Sequence, residues 1–265
     1  MNLWTVEHLF TVLPTFALMI AFSVLMRKLL INKSYEKRMM PIKIISVILV
    51  IIEVGKQICS IALGYDLYHI PLHFCSIFLY VLPLMAFYRG KYKDFVRSVA
   101  CSTMTALFIG MLTIPNVIYS ASRIKFFFVN YLDFHSVFFH NIVMLALFLT
   151  LSLDLHKPVC NRSENAFVAI FGTGFVAVAA IASHLLQTNY SNFLRCTVGF
   201  VAELVEKLKL VIGELPTTVI YTAALALLHV LIMLLANYLF MLACVFKKWM
   251  QEKSKKSIHP ISPSN

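Results

Sequence analysis

Two histidines and a cysteine crowd a proline in HIPLHFC, residues 69–75, where a polar loop turns into an apolar run. A thiol beside an imidazole suits acyl transfer: the base takes the thiol proton, the thiolate attacks an ester carbonyl, and an acyl-enzyme forms. Cys75 stands two residues beyond His73, about 200° around a regular helix, so the two diverge unless the first turn is distorted. The spacing therefore asks for a base from another segment. LDFHSVFFH, residues 132–140, carries two imidazoles. On a helix Asp133, Ser136 and His140 share a face, while His135 lies roughly 140° away from His140. A carboxylate two turns from an imidazole can orient a catalytic base if Ser136 or a water bridges them.

Other polar groups sit among apolar neighbours. Glu53, Lys56, Gln57 and Ser60 follow the i, i+3, i+4, i+7 pattern of one helical stripe, and Glu53 and Lys56 can neutralise each other there. LTIPNV, residues 112–117, loosens the backbone at Pro115 and offers the Asn116 amide. SHLLQTNY, residues 183–190, brings His184, Gln187 and Asn189, and Thr218, Thr222 and His229 share a later face.

The elements that must position these groups are membrane helices. Hydrophobic residues make up 60% of the 265 and charged residues 13%, a balance that one soluble core of this size could not hide. Stretches of roughly 20 apolar residues, each able to cross about 30 Å of hydrocarbon, recur along the chain. Seven spans are predicted, near 6–27, 42–63, 71–88, 97–119, 134–155, 165–187 and 216–246, giving an all-α polytopic membrane protein with its transmembrane domain over 1–246. The tail 247–265 is basic, then rich in Ser and Pro, and is predicted to be disordered.

The net charge of +11 falls between the spans rather than on one patch, which argues against nucleic acid as a partner and for topology. Of the 23 basic residues, seventeen fall on one side, five on the other, and Lys56 lies inside a span. The positive-inside rule then places the N-terminus outside and the C-terminus in the cytoplasm, as a multi-pass protein of the plasma membrane. The first span has no basic stretch before it and Arg27-Lys28 after it, the pattern of an N-out helix rather than a cleaved signal peptide. The six cysteines show no paired spacing, so neither a disulfide framework nor a zinc site is expected. Between Thr188 and Leu215, apolar residues from Phe200 to Ile212 alternate at helical spacing with Glu203, Glu206 and Lys207, predicting a helix in the outer interface.

Under this topology Lys56, Gln57, His73, Cys75, Asn116, Asp133, His135, His140, His184 and Asn189 all fall in the outer half of the membrane. Intramembrane polar groups cost several kcal/mol unless paired or hydrated, and one hydrated cavity accounts for them together. Lys56, Asn116 or a histidine there could hold an oxyanion or a phosphate.

HIPLHFC, EVGK before it, LTIPNV, FHSVFFH and TNYSNFL, in that order and spacing, resemble the YwaF-type integral membrane proteins of bacteria, which are similar to the animal transmembrane protein 164. The likeness runs from about Pro41 to Phe246. It implies a cysteine and histidine acyltransferase, working without a cofactor, that moves a fatty acyl chain from a phospholipid to a lysophospholipid. By motif position the nucleophile is Cys75 and the base is His135 or His140, with His140 favoured by its face shared with Asp133. TIPN stands here where the family pattern would give TP and an acid, so Asn116 departs from it.

Other classes use the same residues differently. A transporter or channel would run a relay through Glu53, Lys56 and His229, and a lipid- or small-molecule-binding protein would use the cavity without covalent chemistry. A metal or haem site would draw on His73, His135, His140 or His184 but lacks a helical i, i+4 histidine pair. A purely structural seven-span protein needs none of this chemistry.

Overall fold

A computed structural model describes residues 6–115, 119–197 and 199–258. Among them the regular structure is helical: α1 (Val6–Leu30), α2 (Tyr35–Ala62), α3 (Phe78–Phe87), α4 (Lys93–Thr113), α5 (Ala121–Lys125), α6 (Tyr131–Ser152), α7 (Arg162–Leu185), α8 (Gly199–Ile212) and α9 (Glu214–Ile258). Short 3-10 turns add Leu67–His69, Phe74–Ile77 and Tyr190–Asn192. Six helices, α1, α2, α4, α6, α7 and α9, are long and apolar enough to cross a membrane.

The third expected span is different. Residues 71–88 form no single helix: the chain is irregular through His73, tightens into the 3-10 turn at Phe74, and becomes α-helical only at Phe78. The His73 carbonyl takes the Ser76 N–H at 2.8 Å, one residue short of an α-helical bond. Residues 74–87 therefore rise roughly 20–25 Å, less than the hydrocarbon thickness. The segment still runs the length of the bundle. Its start bonds to Ser191, and Arg89 beyond its end pairs with Glu36 at the start of α2.

α4 is the central helix, packed against α3, α6, α7 and α9. Every residue from Arg97 to Ala106 is buried, so no face of that stretch is free. Ser98, Ala100, Ser102, Thr103 and Ala106 are small enough to let four neighbours approach, the usual way helices associate where lipid removes the hydrophobic drive. The Ser102 hydroxyl donates across to the Met233 carbonyl of α9.

Outer helices are two-faced in an inverted sense. On α2, Met39, Ile42, Ile45, Leu49 and Ile52 turn inward at three- and four-residue spacing, yet Ile44, Val47, Ile51, Ile58 and Ile61 remain exposed on the other side. Both faces are apolar because the surroundings are apolar too. The stretch between α7 and α9 holds α8, an amphipathic helix with no buried residue, as its pattern foretold.

α9 is the longest helix of the described residues. The helix continues past Phe246 through the basic segment to Ile258, because Lys, Gln, Glu and Met are good helix formers whatever their hydropathy. Residues 259–265 lie outside the described residues.

Candidate functional site

The loop after α2 is drawn back onto its helix by the polar stripe. Asp66 caps the turn Leu67–His69 through the Tyr68 N–H. Gln57 donates to the His69 carbonyl at 2.8 Å, and Ser60 Oγ meets His69 Nδ1 at 2.5 Å. Gly55 in EVGK has a direct reason: a Cβ there would lie 2.2 Å from the Tyr131 hydroxyl, which donates to the Ile52 carbonyl. The glycine lets α6 close onto α2 beside Glu53.

His73 is a clamp. A carbonyl can only accept, so Nε2 carries the proton that goes to Tyr68 O at 3.2 Å, and Nδ1 accepts the Ser191 N–H at 3.4 Å. Both nitrogens are spoken for. Ser191 Oγ in turn accepts the Phe74 N–H at 2.6 Å. This reciprocal pair fixes the turn that carries Cys75 and requires unusual backbone in TNYSNFL, where Ser191 has φ 49° and Asn192 φ 67°. Left-handed backbone at two consecutive non-glycine residues stores strain of order 1 kcal/mol each. Tyr190 OH donating to Leu67 O and Tyr221 OH to Asn192 O hold it in place.

Cys75 and His140 each line two cavities. The larger, of about 840 Å³, is lined by Asp66, Tyr68, His73, Phe74, Cys75, Leu107, Gly110, Ile114, His140, residues 187–197 in part, Leu225 and His229. The smaller, of about 300 Å³, is lined by Glu53, Lys56, Tyr68, His69, His73, Cys75, Arg123, Asp133, His135, Ser136 and His140 among others. Tyr68, His73, Cys75 and His140 belong to both.

His140 keeps one nitrogen able to accept a proton. Its Nδ1 lies 2.5 Å from the Ser136 carbonyl, so that nitrogen carries the proton and Nε2 keeps its lone pair. The orienting group is thus the carbonyl one turn back rather than Asp133, which only lines the smaller cavity. His135 faces Glu53 instead: Nε2 is 3.0 Å from Oε2 but not aligned for a hydrogen bond, and it is buried without one. The same carboxylate holds Lys56 at 2.6 Å and Gln57 at 2.7 Å. Glu53, Lys56, His135 and Asp133 are therefore brought together with Cys75 and His140.

The remaining sequence candidates separate. His184 meets Thr222 at 3.2 Å and lines another cavity, of about 290 Å³, with Arg195, Glu206 and Tyr221. Asn189 lines the large cavity, but its Oδ1 accepts the Leu194 and Arg195 N–H groups and serves the turn. Asn116 lies outside the described residues. His229 was legible as a polar group on α9 but not as part of the site. It lines the large cavity with Nδ1 bonded to the Leu225 carbonyl at 2.8 Å, the device used by His140, and its ring sits 4.9 Å from that of Phe74. No group of three His, Cys, Asp or Glu among the described residues is placed to hold a metal ion.

No curated protein and no solved structure matches the chain. A family model does, that of the TMEM164 family, over residues 3–236. The match spans every cavity-lining segment described above and agrees with six helices fit to cross a membrane; this multi-pass membrane protein belongs to the TMEM164 family.

Proposed function

We propose that the protein is a membrane-embedded acyltransferase that moves a fatty acyl chain from a phospholipid to a lysophospholipid through a thioester on Cys75. The observation that supports it is the shared lining: a thiol and an imidazole with an open lone pair border two cavities at once. One chamber can receive a donor while the other admits an acceptor.

In this reading His140 Nε2 takes the Cys75 proton as Sγ attacks the ester carbonyl of the donor. The ester C–O bond breaks, His140 returns the proton to the departing lysophospholipid oxygen, and the acyl group stays on sulfur. The acceptor hydroxyl then loses its proton to His140 and attacks the thioester carbonyl; the C–S bond breaks and His140 returns the proton to the Cys75 thiolate. Leu107, Ile114, Leu225 and Phe74 offer the larger chamber an apolar wall for the acyl chain. Lys56 and Arg123 bring cationic groups to the smaller one, suited to a phosphate or an oxyanion.

The membrane arrangement belongs to the same reading: seven passes counting the short third segment, N-terminus outside, C-terminus cytoplasmic, and the site in the outer half of the plasma membrane. The concentration of Lys and Arg at the opposite end of the bundle supports it.

Intact-mass spectrometry of the purified protein after incubation with phospholipid tests the chemistry. An acyl-sized increment that disappears in Cys75→Ala and forms more slowly in His140→Ala is expected. An unmodified protein that also leaves lysophospholipid unacylated would move the family member to lipid binding or transport.

A further inference from the structure

The end of the bundle remote from Cys75 holds a cavity of its own, of about 510 Å³, where α4, the α6–α7 connection and α9 meet. Its size is within the roughly 300–1,000 Å³ of ligand sites. It is lined by four cations, Arg97, Lys157, Lys247 and Lys248, against two carboxylates, Asp94 and Asp154. We propose that this cavity is a second binding site, for a phosphomonoester carried by a lipid headgroup or by a soluble phosphate compound.

Arg97 carries the proposal. It is 8% exposed, its guanidinium lies 4.9 Å from the centre of the Tyr35 ring, and one terminal nitrogen holds Asp94 at 2.9 Å. Its Nε is buried without a hydrogen-bond partner. A guanidinium set against an aromatic ring, with an unmet donor, in a cavity of like sign is the arrangement that an incoming phosphate completes.

The neighbouring charges leave room for one. Asp154 is occupied by Lys247 at 2.5 Å and Arg27 at 2.9 Å. Lys157 forms no ion pair among the described residues, and Lys248 has Glu252 only at 3.8 Å. His156 meets Ser98 Oγ at 2.7 Å. Burial pushes its pKa down to about 4, so it adds no charge near neutrality. Four cations against two carboxylates leave an excess of two positive charges, the match for a phosphate dianion.

The test uses the full chain in neutral phosphatidylcholine nanodiscs, titrated separately with dioctanoyl phosphatidic acid and with inorganic pyrophosphate, with binding followed by thermal shift. Saturable binding is expected, weakened about tenfold in K157A/K248A, whose exposed side chains can be lost without touching the core, and at least as much in Arg97→Gln. Cys75→Ala should bind as the wild type does. Stabilisation by the lipid alone assigns the site to a headgroup, and stabilisation by both probes assigns it to a soluble phosphate compound. No saturable effect from either probe, or an effect that K157A/K248A leaves unchanged, overturns the proposal.

Discussion

The two ends of the bundle differ in which polar groups they satisfy. At the basic end, the carbonyls at and just past the end of α6 are met one by one: Leu151 by Lys247, Ser152 by Arg27, Leu153 by Arg38 and Leu155 by the Tyr35 hydroxyl. Three cations at a helix C-terminus satisfy orphan acceptors and the helix dipole together. At the other end the groups around Cys75 are left incomplete. His135 has no aligned partner, His140 and His229 each keep one nitrogen open, and Ser191 and Asn192 hold strained backbone. Satisfied carbonyls brace the end of α6, although Arg38 and Arg97 each keep a buried Nε without a partner there and Asp154 and Cys160 also hold left-handed backbone. What distinguishes the other end is open imidazole nitrogens gathered in the lining of one cavity.

The largest expected break in this contrast is at His140. His140→Ala should slow single-turnover acylation of Cys75 by about 10²–10⁴-fold, the usual range for a general base. His135→Ala should cost less, because its ring addresses Glu53 rather than the thiol. Equal losses would mean that the pair acts through Glu53, and would move the base to His135. Neither variant should shift the unfolding midpoint as far as a change at the basic end.

Such a change is Glu164→Ala. Glu164 is buried on α7, where Oε2 accepts the Val159 and Cys160 N–H groups at 2.8 Å and 3.1 Å and Oε1 takes Asn237 Nδ2 at 3.3 Å. Removing it strands donors in the packed interior and should destabilise the fold by about 2–3 kcal/mol, read as a lower unfolding midpoint in detergent. Acylation at a temperature where the variant is folded should be unchanged. A specific loss of activity would show that the two ends are coupled.

The contrast also explains what the sequence could and could not disclose. Hydropathy locates helices that lipid surrounds, and it found all six long ones. Of the polar groups that reading gathered in one layer, Lys56, His73, Cys75, Asp133, His135 and His140 line one cavity, while His184 lines another. Periodicity failed at residues 71–77, because what keeps His73 out of a helix is Ser191, 118 positions away, and no local pattern carries that bond. It paired Asp133 with His140 for their shared face, where a backbone carbonyl, invisible to any motif, does the orienting. That α9 runs on past Phe246 is likewise outside what hydropathy can give, since it measures the solvent a helix prefers, not whether it is a helix.

Strain and hydrogen bonding at the site separate in Ser191. Ser191→Ala removes the acceptor for the Phe74 N–H but keeps the left-handed backbone. It should cost about 1–2 kcal/mol and slow acylation about tenfold as the Cys75 turn loosens. Ser191→Gly loses the same bond but suits φ 49°, so it should be less destabilising by up to about 1 kcal/mol while slowing acylation equally. If glycine instead restored the rate, the strain rather than the bond would be what positions the nucleophile.

The smallest effect is a pH dependence at the basic end. Burial pushes the Asp154 carboxyl up, and the hydrogen bonds from Lys247 and Arg27 more than reverse this, leaving its pKa lowered. A carboxylate with a lower pKa folded than unfolded contributes stability above its unfolded value, about 3.9, and loses it as pH falls through the folded value. Asp154 is about half exposed, so solvent screens its pairs and the contribution should stay below about 1 kcal/mol. Unfolding midpoints of the wild type and Asp154→Asn should therefore differ by a constant amount from pH 7 to about pH 5 and converge below about pH 4. A difference that persisted through pH 3 would mean that the carbonyls of α6, and not the Asp154 charge, are what the cations at this end stabilise.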